Sequence, residues 1–152
     1  MFASSHSPLP PITLAMSDYV RLMREVWSPS RPDEKAGRKL LFELTRARIA
    51  PADGFPEGTV RLNSRVTYRL DDEPRARTHL LVHPDDLRWP GAEISALSPL
   101  GIALIGLREG DEHRFRSECG RQLHRVRVER VGLQFPDFGV IPDPDEEEEE
   151  EN

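Results

Sequence analysis

Cysteine is almost missing from this chain. Cys119 is the single one in 152 residues, so no intramolecular disulfide can staple the fold, and the expected compartment is the reducing cytoplasm. No run approaches the ~18 apolar residues of a membrane-spanning helix, and the leading MFASSHSPLPP has neither the basic nor the apolar region of a secretion signal. There is no glycine-rich phosphate loop and no G-x-S-x-G elbow. His6, His79, His83, His113 and His124 are scattered and, with one cysteine, give no close-set zinc pattern. His79 and His83 share strand parity, but such a pair reads as structural or solvent-facing. Cys119 sits in a polar turn, SECG, with no histidine nearby in sequence to activate it, so it reads as a free surface thiol. The expectation is a protein without catalytic residues, metal or cofactor.

Charge is present but uneven. The net charge of −6 is dominated by Asp143, Asp145 and Glu146 to Glu151, eight acids without a base. The remainder holds 19 acids against 21 Lys and Arg. A near-neutral body argues against a strongly electrostatic nucleic-acid binder, which needs a clustered basic surface, and no direct sequence-specific DNA binding is expected. The acidic run cannot bury apolar surface and should stay solvated and extended.

Periodicity divides the chain into four parts: a disordered lead (1–11), a short helical hairpin (12–50), a β-rich domain (51–138) and a disordered acidic tail (139–152). Ser17 offers a cap for a first helix to about Trp27, with Val20, Met23 and Trp27 on one face. WSPSRP breaks it. A second helix opens at Asp33 or Glu34, acids that suit the positive end of the helix dipole, and runs to about Arg48 with Leu40, Leu41, Leu44 and Ala47 inward. Ile49 to Thr59, rich in Pro and Gly, reads as a linker. Val60, Leu62, Val66, Tyr68 and Leu70 then share one parity, the mark of a strand solvated on one side. Further strands are expected at Thr78–Val82, Glu93–Ala96, Glu112–Arg116 and Gln122–Leu133. In the last of these Val126 and Val128 alternate and Val131 breaks parity, which calls for a bulge near Glu129 or Arg130.

The stretch from Glu93 to Phe115 is the densest in information. Ser98 can cap a helix with its hydroxyl, and Pro99 fits the first helical position, where a missing amide hydrogen costs nothing. Leu100, Ile102, Ala103, Leu104, Ile105 and Leu107 make that helix almost wholly apolar, and Gly106 and Gly110 offer left-handed stops. Such a helix must lie across the sheet, giving a two-layer α+β fold of four or five antiparallel strands and one helix. Both apolar faces then have an intramolecular partner, so a monomer is expected.

The pattern SPLGIALIGLxxGD resembles the C-terminal domain shared by bacterial GreA/GreB transcript-cleavage factors and the Rnk-type regulators of nucleoside diphosphate kinase. ELTRA, VRLNSRV, HLLVHP and VRVERVGLQ extend the resemblance over roughly Ile12 to Pro136. It implies an FKBP-like half-barrel and RNA polymerase as partner. By the same analogy Ser98, Pro99, Leu100 and Gly101 form the docking surface, with Gly110 and Asp111 shaping the turn behind it. In Gre factors acids at the hairpin tip help to hold a catalytic magnesium. Here Asp33 and Glu34 occupy that place, but capping and dipole complementarity explain them, and a first helix of about 16 Å at ~1.5 Å per residue is far shorter than the Gre arm. The proportions match the Rnk type, which the resemblance implies binds polymerase without stimulating cleavage. Two other classes compete: an adaptor acting on nucleoside diphosphate kinase or another metabolic enzyme, and an FKBP-like prolyl isomerase, for which Tyr68, Trp89, Phe115, Phe135 and Phe138 would have to converge. The family usually follows its last strand with Q-P-E, whereas this chain interposes Phe135 and supplies Asp137.

Overall fold

The computed structural model describes residues 9–28, 34–51 and 53–134. Of the expected disordered lead only 9–11 are described, and there the Pro10 carbonyl accepts from Arg46; residues 1–8, Asp33 at the hairpin tip, Phe135, Asp137, Phe138 and the acidic tail lie outside the described residues.

Helix α1 (Met16–Val26) and helix α2 (Glu34–Arg46) form the hairpin, flanked by two short strands, β1 (Thr13–Ala15) and β2 (Arg48–Ala50), which pair in parallel. Sequence patterning did not announce this pair. Ser17 is not the cap: the chain stays extended through Ala15, helix α1 starts at Met16 without a side-chain cap, and Ser17 is left exposed in the first turn. The inward face also differs. Asp18, Leu22 and Val26 are buried and Met23 packs half-buried against the core as expected, whereas Val20 and Trp27 are exposed, Trp27 by 71%. Two apolar stripes compete on this helix, and tertiary anchoring decides between them: Asp18 Oδ2 accepts the Leu62 amide at 3.1 Å, and Arg21 pairs with Asp86 at 2.9 Å. On α2, Leu40 and Leu44 are buried, and Leu41 and Ala47 pack half-buried against the core, as expected.

The main sheet holds β3 (Ser64–Leu70), β4 (Arg77–Val82), β5 (Glu93–Ser95), β6 (Glu112–Arg116) and β7 (Leu123–Gln134) in the order β5-β4-β3-β7-β6. It curls into a half-barrel. All pairs are antiparallel except β4–β5, which runs parallel because the 3-10 turn Pro84–Asp86 and the Trp89–Ala92 turn carry the chain back beside Leu80, midway along β4. The expected bulge is at Glu129: Tyr68 faces Val128, Thr67 faces Arg130, and Glu129 is left over. That extra residue returns Val131 to the inner face beside Val66. The strand expected from Val60 starts at Ser64, since Asn63 takes a φ of 68° and the Val60 segment instead bonds to Gly106 and Leu107.

Helix α3 (Pro99–Leu104) lies under the sheet. Its Ile102, Ala103 and Leu104 join Val66, Tyr68, Val126 and Val128 of the sheet and Leu22, Leu40 and Leu44 of the hairpin in one buried cluster. Ile12 and Leu14 belong to the same cluster, and the Thr13 amide donates to the Gly106 carbonyl at 3.1 Å. Hairpin and half-barrel therefore share their hydrophobic stabilisation.

Candidate functional site

The start of α3 is built as its residues dictate. Ser98 Oγ accepts the Gly101 amide at 3.0 Å and donates to the Ser95 carbonyl at 2.7 Å, and Pro99 holds the first helical position. Gly101 is buried against the preceding strand: a Cβ there would stand 2.0 Å from the Ser95 carbonyl oxygen. Only glycine allows this approach. Ser98, Pro99 and Leu100 are half-buried, so of the four predicted docking residues Gly101 positions and the other three reach the surface. Leu100 also packs against the core.

Gly110 and Asp111 lie at the other end of the α3–β6 connection. Gly110 has a φ of 93°, and its amide donates to the Val128 carbonyl at 2.8 Å. Asp111 Oδ2 accepts the Arg108 amide at 2.9 Å, closing the turn. Beside it, Glu109 Oε2 accepts the Val131 amide just past the bulge at 2.8 Å. These residues lock the turn to β7. Glu34, the described half of the predicted tip pair, is exposed in the first turn of α2.

Pro99 also borders a surface groove of about 600 Å³ between α2, α3 and the edge strand β6. Its floor is apolar, from Phe42, Ile102, Ala103, Phe115 and Leu123, and its rim carries Lys35, Arg38, Lys39, Arg114 and Arg116. Sequence reasoning missed this groove. The signal was present: Lys35, Arg38, Lys39 and Phe42 recur at three- and four-residue spacings, a second stripe beside the buried one.

At the inner wall Glu43 is buried, with Arg46 Nη2 at 2.7 Å and His113 Nε2 at 3.4 Å. Burial pushes the Glu43 carboxyl up, but the hydrogen bonds from His113 and Arg46 outweigh it and hold the group below its ordinary range.

The two histidines of β4 and its end go to separate partners. His79 Nδ1 lies 2.9 Å from the Tyr68 hydroxyl, and burial, assisted by Arg77, lowers its pKa. His83 Nδ1 accepts the Asp85 amide at 3.1 Å while its Nε2 faces Glu25 at 3.6 Å. Glu25, His83 and Asp85 are close enough to share an ion, yet Nδ1 is already engaged by a backbone donor. Phe135 and Phe138 lie outside the described residues, and the other three aromatics named for an isomerase pocket do not converge: Tyr68 is buried, Phe115 packs tilted on His124 at 5.3 Å, and Trp89 lines a separate cleft of about 220 Å³ with His79. Cys119 is exposed, and its hydrogen bond with Ser117 at 3.3 Å lowers the thiol pKa.

The fold is thus a half-barrel crossed by a Ser-Pro-capped helix and joined to a short helical hairpin. Residues 55–131 match the family described as transcription elongation factor, GreA/GreB, C-term, and the chain belongs to that family. It is 33% identical over 82 residues to the regulator of nucleoside diphosphate kinase of Escherichia coli K12, covering 54% of this chain and 60% of that protein. It is 33% identical over 83 residues to the elongation factor GreA of Roseiflexus castenholzii, covering 55% and 53%. The chain thus matches little more than half the length of these relatives. Among solved structures, a GreA/GreB elongation factor from Nitrosomonas europaea is 32% identical with a TM-score of 0.64, over 82% of this chain and 99% of that one. Among the described residues, no helix is long and apolar enough to cross a membrane.

Proposed function

We propose that the protein is a transcription regulator of the Gre/Rnk type that docks on RNA polymerase through its half-barrel and sets its short hairpin at the mouth of the secondary channel. It acts by occupancy. The docking surface comprises Ser98, Pro99 and Leu100, held up from below by Gly101, with Gly110 and Asp111 fixing the adjoining turn. Family membership supports the partner. The observation that carries the mechanism is arm length: α1 has 11 residues and α2 has 13, so the arm extends only ~16–20 Å at ~1.5 Å per residue. Its base is also tied down by the Asp18–Leu62 hydrogen bond. Such an arm does not carry Asp33 and Glu34 to a distant catalytic magnesium, so the protein competes with cleavage-stimulating Gre factors without stimulating cleavage.

The test uses stalled elongation complexes. The protein alone should leave backtracked transcripts uncut and, on titration, should suppress cleavage by GreA. Cleavage by the protein alone, lost on changing Asp33 and Glu34 to Ala, would overturn the reading. The name of the Escherichia coli relative favours a second reading, an adaptor of nucleoside diphosphate kinase. Co-purification of that kinase in place of polymerase would select it.

A further inference from the structure

The outer face of the half-barrel is an arginine surface. Alternation along β3, β6 and β7 turns Val66, Tyr68, His113, Val126 and Val128 inward and leaves Arg65, Arg69, Arg114, Arg125, Arg127 and Arg130 on the solvent side. Two of the cross-strand pairs place like charges directly opposite each other, Arg69 against Arg127 and Arg114 against Arg125. Such pairs destabilise a sheet. Two of the cations are answered, Arg69 by Glu129 and Arg125 by Asp72, each at 2.8 Å. Among the described residues no carboxylate pairs with Arg114, Arg127 or Arg130. Carboxylates gather at one end of this face, where Glu112 stands opposite Arg127 and Asp71, Asp72 and Glu73 border the same cleft, whereas Arg114 and Arg130 have no carboxylate within ion-pair distance among the described residues.

A denser run of anions is on the same chain, in its last ten residues. Strand β7, which carries three of these arginines, ends at Gln134. Asp143 follows nine residues later, and Glu146 to Glu151 stand 12 to 17 residues beyond Gln134. An extended chain covers at most ~3.3–3.6 Å per residue, so Asp143 reaches ~30 Å and the glutamates ~40–60 Å. Arg127 lies seven residues back along the strand, ~23 Å at ~3.3 Å per residue, and Arg114 is one strand over from Arg125. A tail turned back along β7 therefore passes its acids over Arg127, Arg125 and Arg114, and tethering raises their effective concentration there into the millimolar range.

We propose that the acidic segment Asp143–Glu151 folds back on the arginine face of its own half-barrel and masks it from other polyanions. The attraction is electrostatic and solvent-exposed, so it is screened by salt. Its role differs from the docking surface at α3, and it stands or falls apart from the polymerase reading.

The test uses the full chain carrying Cys119→Ser and Glu148→Cys, with a nitroxide on the new cysteine and amide NMR as the readout. At low salt the label should broaden the amides of Arg114, Arg125 and Arg127, and 0.5 M salt, where screening is nearly complete at ~4–5 Å, should abolish the effect. Broadening confined to α2, or no broadening, overturns the proposal. So does broadening seen only when labelled and isotope-enriched chains are mixed, which would assign the tail to a second copy. A heparin column gives an independent measurement. Deleting Asp143–Asn152 should raise the eluting salt by about 0.1 M or more, and Arg114→Glu with Arg127→Glu should reverse that gain, whereas Lys35→Glu with Lys39→Glu should leave most of it. Equal elution of full and truncated chains, or loss of the gain through the lysines instead, rejects the arginine face as the tail's site.

Discussion

Glu43 of α2 and His113 of β6 meet across the boundary between hairpin and half-barrel, with Oε1 and Nε2 3.4 Å apart and both side chains less than a tenth exposed. Arg46 completes the cluster from the next turn of α2. The folded pKa of Glu43 lies below its ordinary 4.5, so its contribution to stability is complete above that value and is lost as pH falls through the folded pKa. Glu43→Ala should cost about 3 kcal/mol at neutral pH, because it takes the acceptor from His113 and from two of the Arg46 nitrogens, leaving Arg46 only the Pro10 carbonyl. The penalty should shrink on acidification below pH 4.5, where wild type loses the same contribution. Urea titrations of both proteins at neutral and acid pH check this, and a penalty unchanged by acid would count against it.

The α3 start separates capping from packing. Ser98→Ala removes one acceptor for the Gly101 amide and should cost about 1 kcal/mol. Gly101→Ala drives a methyl into the Ser95 carbonyl, 2.0 Å from its ideal position, and should cost at least about 3 kcal/mol or prevent folding. Thermal melts of the two variants should fall in that order. Equal losses would mean that β5 yields to accommodate the methyl.

Docking is best tested at Pro99. Leu100 packs on the core, so a charge there confounds binding with folding. Pro99→Glu keeps a good first-turn residue, since acids suit a helix N-terminus, and places a carboxylate at the groove rim. Circular dichroism should remain that of wild type while polymerase co-purification drops at least about tenfold, a loss of ~1.4 kcal/mol. A folded variant that binds normally would remove this surface from consideration.

How much was legible follows from where each signal lives. The Ser-Pro start of α3, its glycine stop and the Glu129 bulge are local features, and each was readable because one residue type has one physical reason to be there. The face of α1 was not. Val20, Met23 and Trp27 form as good a stripe as Leu22 and Val26, and the choice rests on Asp18 meeting an amide 44 residues away. The pair β1–β2 was equally hidden, since three-residue strands have no period and a parallel pair is a long-range contact. The basic stripe along α2 has the same three- and four-residue spacing as the buried apolar one, and by itself such a stripe reads only as a solvated helix face, so the groove beside it becomes visible only once β6 is in place.

The shared core predicts how the molecule comes apart. Although 12–50 and 51–138 read as separate units in sequence, Ile12, Leu14, Leu22, Leu40 and Leu44 are buried in the same cluster as Leu104, Val126 and Val128. The Asp18–Leu62 and Thr13–Gly106 hydrogen bonds cross the same boundary. Removing the hairpin would expose that apolar face at roughly 25 cal/mol per Å², more than a small half-barrel can give up when its total stability is of the order of 5–15 kcal/mol. The full chain should therefore unfold in one transition. Trp27 in the hairpin region and Trp89 in the half-barrel are the only two tryptophans, so Trp27→Phe and Trp89→Phe each leave one reporter. Both are exposed, and neither change should disturb packing. Urea midpoints from the two single-tryptophan proteins should coincide with each other and with circular dichroism. Residues 51–138 expressed alone should lack dispersed amide resonances. Two separated midpoints, or a well-folded isolated half-barrel, would show that the hairpin is a detachable arm and that its core contacts are dispensable.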